Sequence, residues 1–255
     1  MTSGWPAAQE GLITHANDIL LEGLGTLEPY APIAGVLLYP FIFRDSGHFQ
    51  RVFQGPVGRA LLTEIGTESH RHIVGVGYRG ERYLTSNKKI HGLADLRGMK
   101  TRVPPLKMSI RTWEMLGAKP VPMGAPELYF ALRQGVLEGA EVPFNYIEDF
   151  KLFEVQKYVV EGGLSYGAMG FMFEEERFRA LPAAVQSLLT EEGERVMDAA
   201  TTRMKLQEVQ YMEVLRQKGI VVLTFDRNAF AARLAPLINE FPEMARWVKA
   251  IETVH

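Results

Sequence analysis

Apolar residues recur along this chain with two different periods, and their alternation lays out an α/β fold. Leu12, Ile13 and Ala16 within 9–19 follow the spacing of an amphipathic helix. Phe49, Val52, Phe53, Leu61, Leu62 and Ile65 form one longer stripe of the same kind over 48–65. Segments 73–78 and 82–85 read as extended. The apolar run 33–43, broken by Pro40, reads as a buried strand or strand–turn, too short for the ~20 residues a bilayer span needs.

The middle of the chain is the most regular. A strand over 101–104 stops at proline, and Ser109 caps a helix running to Leu116 and closed by Gly117. A strand over 120–123 follows. Pro126 opens a helix with Leu128, Leu132 and Val136 on one face, ended by Gly139, before a third strand over 140–142. Strand and helix alternating at this spacing predict parallel βαβ units. The pattern over 182–217 is helical for about ten turns, longer than one compact lobe, so this helix is expected to span two. Gly219 stops it, 220–223 is a strand, and Asp226 caps a last helix.

Composition removes several function classes. At 255 residues with 47% hydrophobic and 23% charged, the chain has the profile of a folded domain or two lobes. A formal net charge of −2 gives no footprint for nucleic acid or anionic membrane, so neither is an expected partner. Zero cysteines exclude a disulfide scaffold, a thiolate metal site and a cysteine nucleophile.

Few motifs survive scrutiny. Gly75, Gly77 and Gly80 have dinucleotide-fingerprint spacing, but Gly80 leads into an extended segment rather than a helix N-terminus. His70 and His72 flank Arg71, and the scattered His15, His48, His91 and His255 read as surface residues, so no metal or cofactor is expected. No nucleophile-elbow serine is present, and no enzyme chemistry is assigned. The arginines carry more. Arg102 sits in an apolar strand with no acidic residue within four positions, and Arg82 raises the same question in the preceding extended segment. A buried cation needs a structural carboxylate or an anionic ligand, and two arginines near a sheet edge can clamp a carboxylate.

The segment Asp95-Leu96-Arg97-Gly98-Met99-Lys100-Thr101-Arg102-Val103-Pro104 resembles a signature of the solute-binding proteins of tripartite ATP-independent periplasmic (TRAP) transporters, dicarboxylate-binding type. The resemblance continues through Leu116-Gly117-Ala118-Lys119-Pro120-Val121-Pro122-Met123, Glu127-Leu128-Tyr129, Gln134-Gly135-Val136, Glu141, Pro143 and 153–158. Upstream, Pro40-Phe41-Ile42-Phe43-Arg44-Asp45 and Gly80-Glu81-Arg82 also fit, so it covers the chain from about Gln9 onward.

The resemblance implies a two-lobed α/β fold of the class II periplasmic-binding-protein type, closing around a small organic acid, with the long helix crossing both lobes. One lobe would comprise 1–79 and about 168–207, the other 80–167 and about 208–255. Arg102 falls on the family's ligand-clamping arginine and Arg82 on a second arginine that often contacts the ligand. Glu22 lies in a pocket-lining stretch, placed to within one residue. The implied partners are a small carboxylate ligand and the permease subunits of a TRAP transporter, the implied compartment is the periplasm, and a monomer is expected. A carboxylate sensor on the same lobes, or a non-functional truncated product, are the other readings.

Three departures stand out. Val142 replaces an asparagine that often assists ligand binding, which points to a small or apolar acid unless Asn145 substitutes. Leu164 stands where a histidine is common. The family's secretion signal, first strand and first helix have no counterpart before Gln9, so the first lobe is expected to be N-terminally truncated and the weaker of the two.

Overall fold

The computed structural model describes residues 4–255. Helix α1 (Trp5–Ile13) leads to a short strand, β1 (Leu20–Gly23). The apolar run that reads as a strand is instead a 3-10 helix, Pro32–Leu38. Pro32 presets its first turn, and Gly35 lets Met244 and Glu28 approach where any Cβ would collide with them.

The single helical stripe over 48–65 divides into α2 (Ser46–Gln54) and α3 (Pro56–Ser69). Gly55 is extended and Pro56 has no N–H to continue the ladder, so the apolar face persists across a break in the backbone. Conversely, the two extended segments fuse into one sixteen-residue strand, β2 (Arg71–Ser86).

The predicted βαβ units are present: β3 (Lys100–Val103), α4 (Lys107–Met115), β4 (Lys119–Pro122), α5 (Leu128–Arg133) and β5 (Gly139–Pro143). Strand β3 pairs in parallel with both β4 and β5. Ser109 is not the cap of α4. Its first N–H groups, those of Lys107 and Met108, donate to the carboxylate of Glu28, the latter at 2.8 Å, so a distant residue does the capping. Helix α5 ends before Gly135, whose φ of +70° breaks it, and Val136 is left exposed beyond the helix.

Next come α6 (Phe144–Asp149), β6 (Tyr158–Glu161), β7 (Tyr166–Glu174) and α7 (Glu175–Ala180). The long helix is α8 (Ala183–Gln217), followed by β8 (Val221–Thr224), α9 (Arg227–Leu234) and α10 (Ala245–Glu252). Asp226 caps α9 as expected, accepting from the N–H groups of Asn228 and Ala229.

Strand β2 belongs to both halves of the sheet. Its first part pairs with β7, which pairs with β1, all antiparallel. Its last five residues pair with β5 and the last three of them also with β6, with β3 and β4 beyond one side and β8 beyond the other. Helix α8 follows the same path: Met197 and Thr201 meet the first part of β2, while Tyr211, Met212 and Leu215 lie in the apolar core of the second. This explains two of the three glycines. A Cβ on Gly75 would meet the Gly193 carbonyl oxygen at 2.4 Å, and one on Gly77 would meet the Met197 sulfur at 2.9 Å. The glycines bring strand and helix into backbone contact rather than cradling a phosphate. Where β2 passes between halves, the Glu208 carboxylate of α8 accepts from the Tyr78 hydroxyl at 2.7 Å, the Tyr83 hydroxyl at 3.1 Å and the Glu81 N–H at 2.7 Å.

The division expected near residue 208 does not describe the packing of the C-terminal segment. Phe230 and Leu234 pack with Leu96, Val103 and Trp113. Beyond them Leu237, Phe241, Met244, Trp247 and Ile251 join the core built by Leu24, Ile33, Phe43 and Phe49. A face of α10 rich in large apolar residues is buried wherever a matching apolar surface lies within reach, and sequence order does not say which surface that is.

His48, read as a surface residue, is fully buried and pins that segment. Its Nδ1 accepts from the Arg44 N–H at 3.1 Å, which leaves Nε2 to donate to the Ile251 carbonyl at 3.1 Å. Burial, with Arg44 nearby, pushes its pKa below the usual histidine range. The unfolded chain therefore binds this proton more readily than the folded one, and the contribution of His48 to stability is complete above about pH 6.5 and lost as pH falls below it. Urea midpoints at pH 5.5 and 7.5 should show wild type weakened at the lower pH, and His48→Gln should flatten that difference. An unchanged slope in the variant would assign the pH dependence to other groups.

Candidate functional site

A cavity of about 450 Å³ opens where the two halves of the sheet meet. Glu22, Gly23, Thr26, Leu37, Leu38, Gly167 and Ala168 line it from one side. Pro104 to Leu106, Gly124 to Glu127, Tyr146 and Phe150 line it from the other. The loops after β3 and β4 leave the carboxyl ends of parallel strands, the usual place for a ligand crevice in an open α/β sheet.

Three arginines enter this cavity: Arg79, Arg82 and Arg102. In a straight strand, positions three apart face opposite ways, so Arg79 and Arg82 could not share a site. Strand β2 is irregular between Tyr78 and Glu81, and Gly80 has φ of +100°, which flips the alternation. A Cβ at Gly80 would also strike the Phe144 ring at 2.6 Å. Arg79 is thus a lining residue that the strand pattern alone does not reveal.

The three guanidiniums differ in how they are neutralised. Arg82 makes a two-pronged ion pair with the buried Glu141 carboxylate, through Nε to Oε1 and through Nη2 to Oε2 at 2.7 Å. Arg79 Nη1 lies 2.6 Å from Glu22 Oε1, and its Nη2 donates to the Tyr146 hydroxyl at 3.0 Å. Arg102, 4% exposed, has neither. Its Nε donates to the Met123 carbonyl at 2.8 Å and Nη1 to the Glu141 carbonyl at 3.1 Å, so backbone oxygens orient it without cancelling its charge. Burial and the adjacent Arg82 depress its pKa to about 10, leaving it charged at neutral pH.

Among the described residues, nothing accepts from Arg82 Nη1 or Arg102 Nη2, and neither atom is a buried donor lacking a partner. Both therefore keep accessible surface, and both residues line the cavity.

Glu22, Arg82 and Arg102 thus meet at one cavity; Val142 does not. Val142 is fully buried among Ala140, Phe144 and Leu132. Alternation along β5 turns Val142 into the core and Glu141 to the opposite face. Asn145 does not replace the amide either: it is not among the cavity-lining residues, and its Nδ2 donates to Asp149 at 2.9 Å. Val142 therefore does not touch the cavity and does not make its wall apolar. Leu164 packs with Leu84, Ile90 and Phe230 away from this cavity.

A larger open groove of about 560 Å³ lies between α2, α3, α8 and the start of β2. Its rim mixes Arg59, Arg71 and Arg179 with Glu175, Glu194 and Asp198. Those three cations and three carboxylates balance, so the groove offers no concentrated charge of one sign; Arg71 Nε and Nη1 there turn to Gln9 and to backbone oxygens. No group of three or more His, Asp or Glu side chains suited to a metal ion occurs among the described residues.

Residues 6–244 match the profile of a family described as bacterial extracellular solute-binding protein, family 7 (DctP). One relative, the sialic acid-binding periplasmic protein SiaP of Vibrio cholerae, is 27% identical over 224 residues, covering 88% of this chain and 70% of its own. The 2,3-diketo-L-gulonate-binding periplasmic protein YiaO of Escherichia coli is 25% identical over 244 residues, covering 93% and 74%. A TRAP periplasmic solute-binding protein from Polaromonas sp. JS666 bound to D-erythronate superposes with a TM-score of 0.89 at 26% identity, over 96% of this chain and 82% of that one.

Proposed function

The chain belongs to the bacterial extracellular solute-binding proteins of family 7, and on that premise we propose that its interlobe cavity captures a small organic acid by the carboxylate for delivery to the membrane subunits of a TRAP transporter. The observation that carries this reading is Arg102: a buried guanidinium, oriented by two backbone carbonyls, without a carboxylate of its own, at the wall of an open cavity. A buried cation left uncompensated is costly, and a ligand carboxylate removes that cost when it binds. Arg82 Nη1 supplies a second donor from a guanidinium held in place by Glu141.

The reading makes the protein a carrier rather than a catalyst, in keeping with a family of solute-binding proteins. Capture takes place in the periplasm, the compartment for which the relatives SiaP and YiaO are named. Those relatives bind acids with several oxygen-bearing groups, and the polar wall formed by Glu22, Arg79 and Tyr146 suits such a ligand.

A thermal-shift screen against small organic acids should return stabilising ligands. At one hundred times the dissociation constant, stabilisation should reach about 2.7 kcal/mol. Recovery of the acid unchanged after incubation supports capture. A screen in which no acid stabilises the protein, or in which the acid is consumed, overturns it.

A further inference from the structure

Resting on the reading that Arg102 receives a ligand carboxylate, we infer that the cavity selects acids with one carboxylate over those with two, and that Glu22 sets this preference. The inference comes from counting charge around the site. Arg79, Arg82 and Arg102 bring three positive charges, and Glu22 and Glu141 pair directly with Arg79 and Arg82. Arg102 remains without a direct ion pair, opposed only at longer range by Glu141 and Glu127, which leaves room for one anionic group.

A second carboxylate reaching the polar part of the lining would arrive beside Glu22, whose oxygen sits 2.6 Å from Arg79 Nη1. It would then have to displace Glu22 from Arg79 or lie next to another carboxylate in a partly desolvated cleft. Glu22 is held against displacement, because Oε1 also accepts from the Gly23 N–H at 2.6 Å. Glu127 at the rim adds a further negative charge and no cation. Like charges brought together at a binding surface cost several kcal/mol.

Hydroxyl groups meet no such opposition. Glu22 accepts hydrogen bonds, the Tyr146 hydroxyl both accepts and donates, and Arg79 is already neutralised between them. The polar patch of Glu22, Arg79 and Tyr146 is therefore built for uncharged polar groups.

The test is titration calorimetry with acids matched in carbon number, gluconate against glucarate and 4-hydroxybutyrate against succinate, on wild type, Glu22→Gln and Arg102→Ala. Wild type should favour the monoacid of each pair by about tenfold or more. Glu22→Gln keeps the side-chain shape but releases Arg79 as a free cation, and should narrow or reverse that ratio. Arg79→Gln leaves Glu22 uncompensated and should widen it, which provides a reading if Glu22→Gln folds poorly. Diacids binding wild type as tightly as monoacids, with Arg102 still required, overturn the charge argument and leave carboxylate capture standing. An unchanged ratio in both wall variants overturns the assignment to Glu22. Binding of neither kind of acid, or binding unaffected by Arg102→Ala, overturns the underlying reading instead.

Discussion

Arg102→Ala should weaken binding of the captured acid by about 2–5 kcal/mol, roughly thirtyfold to several thousandfold. The side chain is 4% exposed, and its uncompensated charge is the strongest attraction the cavity offers an anion. Arg102→Lys is the sharper test. It keeps the charge, but a lysine cannot serve the Met123 and Glu141 carbonyls and still present a planar fork to a carboxylate. It should bind poorly as well, and titration calorimetry giving wild-type affinity for Arg102→Lys would remove the clamp. Stability should change less than affinity. The substitution frees two carbonyl oxygens, which costs stability, but it also withdraws a desolvated cation from beside Arg82, which restores some.

Glu141→Ala should have the opposite balance, a large loss of stability. Its carboxylate is buried and holds Arg82 through both oxygens. Removing it strands one buried guanidinium next to another. Breaking a buried pair from one side costs about 3–5 kcal/mol, because a charge without a partner remains inside. Urea unfolding should show that loss. The double variant Arg82→Met/Glu141→Leu should recover most of it, since apolar residues of similar volume often replace a buried pair without penalty. If Glu141→Ala unfolds at the wild-type urea concentration, the pair is not the internal brace that the packing describes.

These two residues also mark where sequence reading succeeds and where it stops. Arg102 stood out because a charged side chain in an apolar strand, with no acid nearby in sequence, is a local anomaly that needs no fold to detect. Arg82 posed the same question, and only its neighbours answer it: Glu141 lies fifty-nine residues away and reaches it by antiparallel pairing of β2 with β5. Arg79 carried no signal, because its entry into the cavity depends on the irregularity at Gly80. Val142 falls on a family position by resemblance, yet its direction follows from strand alternation, which turns it into the core.

By itself the sequence determined whatever depends on local periodicity and on the chemistry of single residues. The βαβ order around β3, β4 and β5, the thirty-five-residue helix α8, the family and the anomaly at Arg102 all belong to that class. Tertiary structure decided whatever depends on which distant groups meet. It made Glu28 the cap of α4, buried His48 beneath the C-terminal segment, and set Gly75 and Gly77 at the contact of β2 with α8. It also distributed two carboxylates among three arginines, leaving one cation open. The reason is physical: periodicity reports the face a residue presents to its own element. The charge and polarity that face encounters are set by chain segments brought together only when apolar surfaces pack.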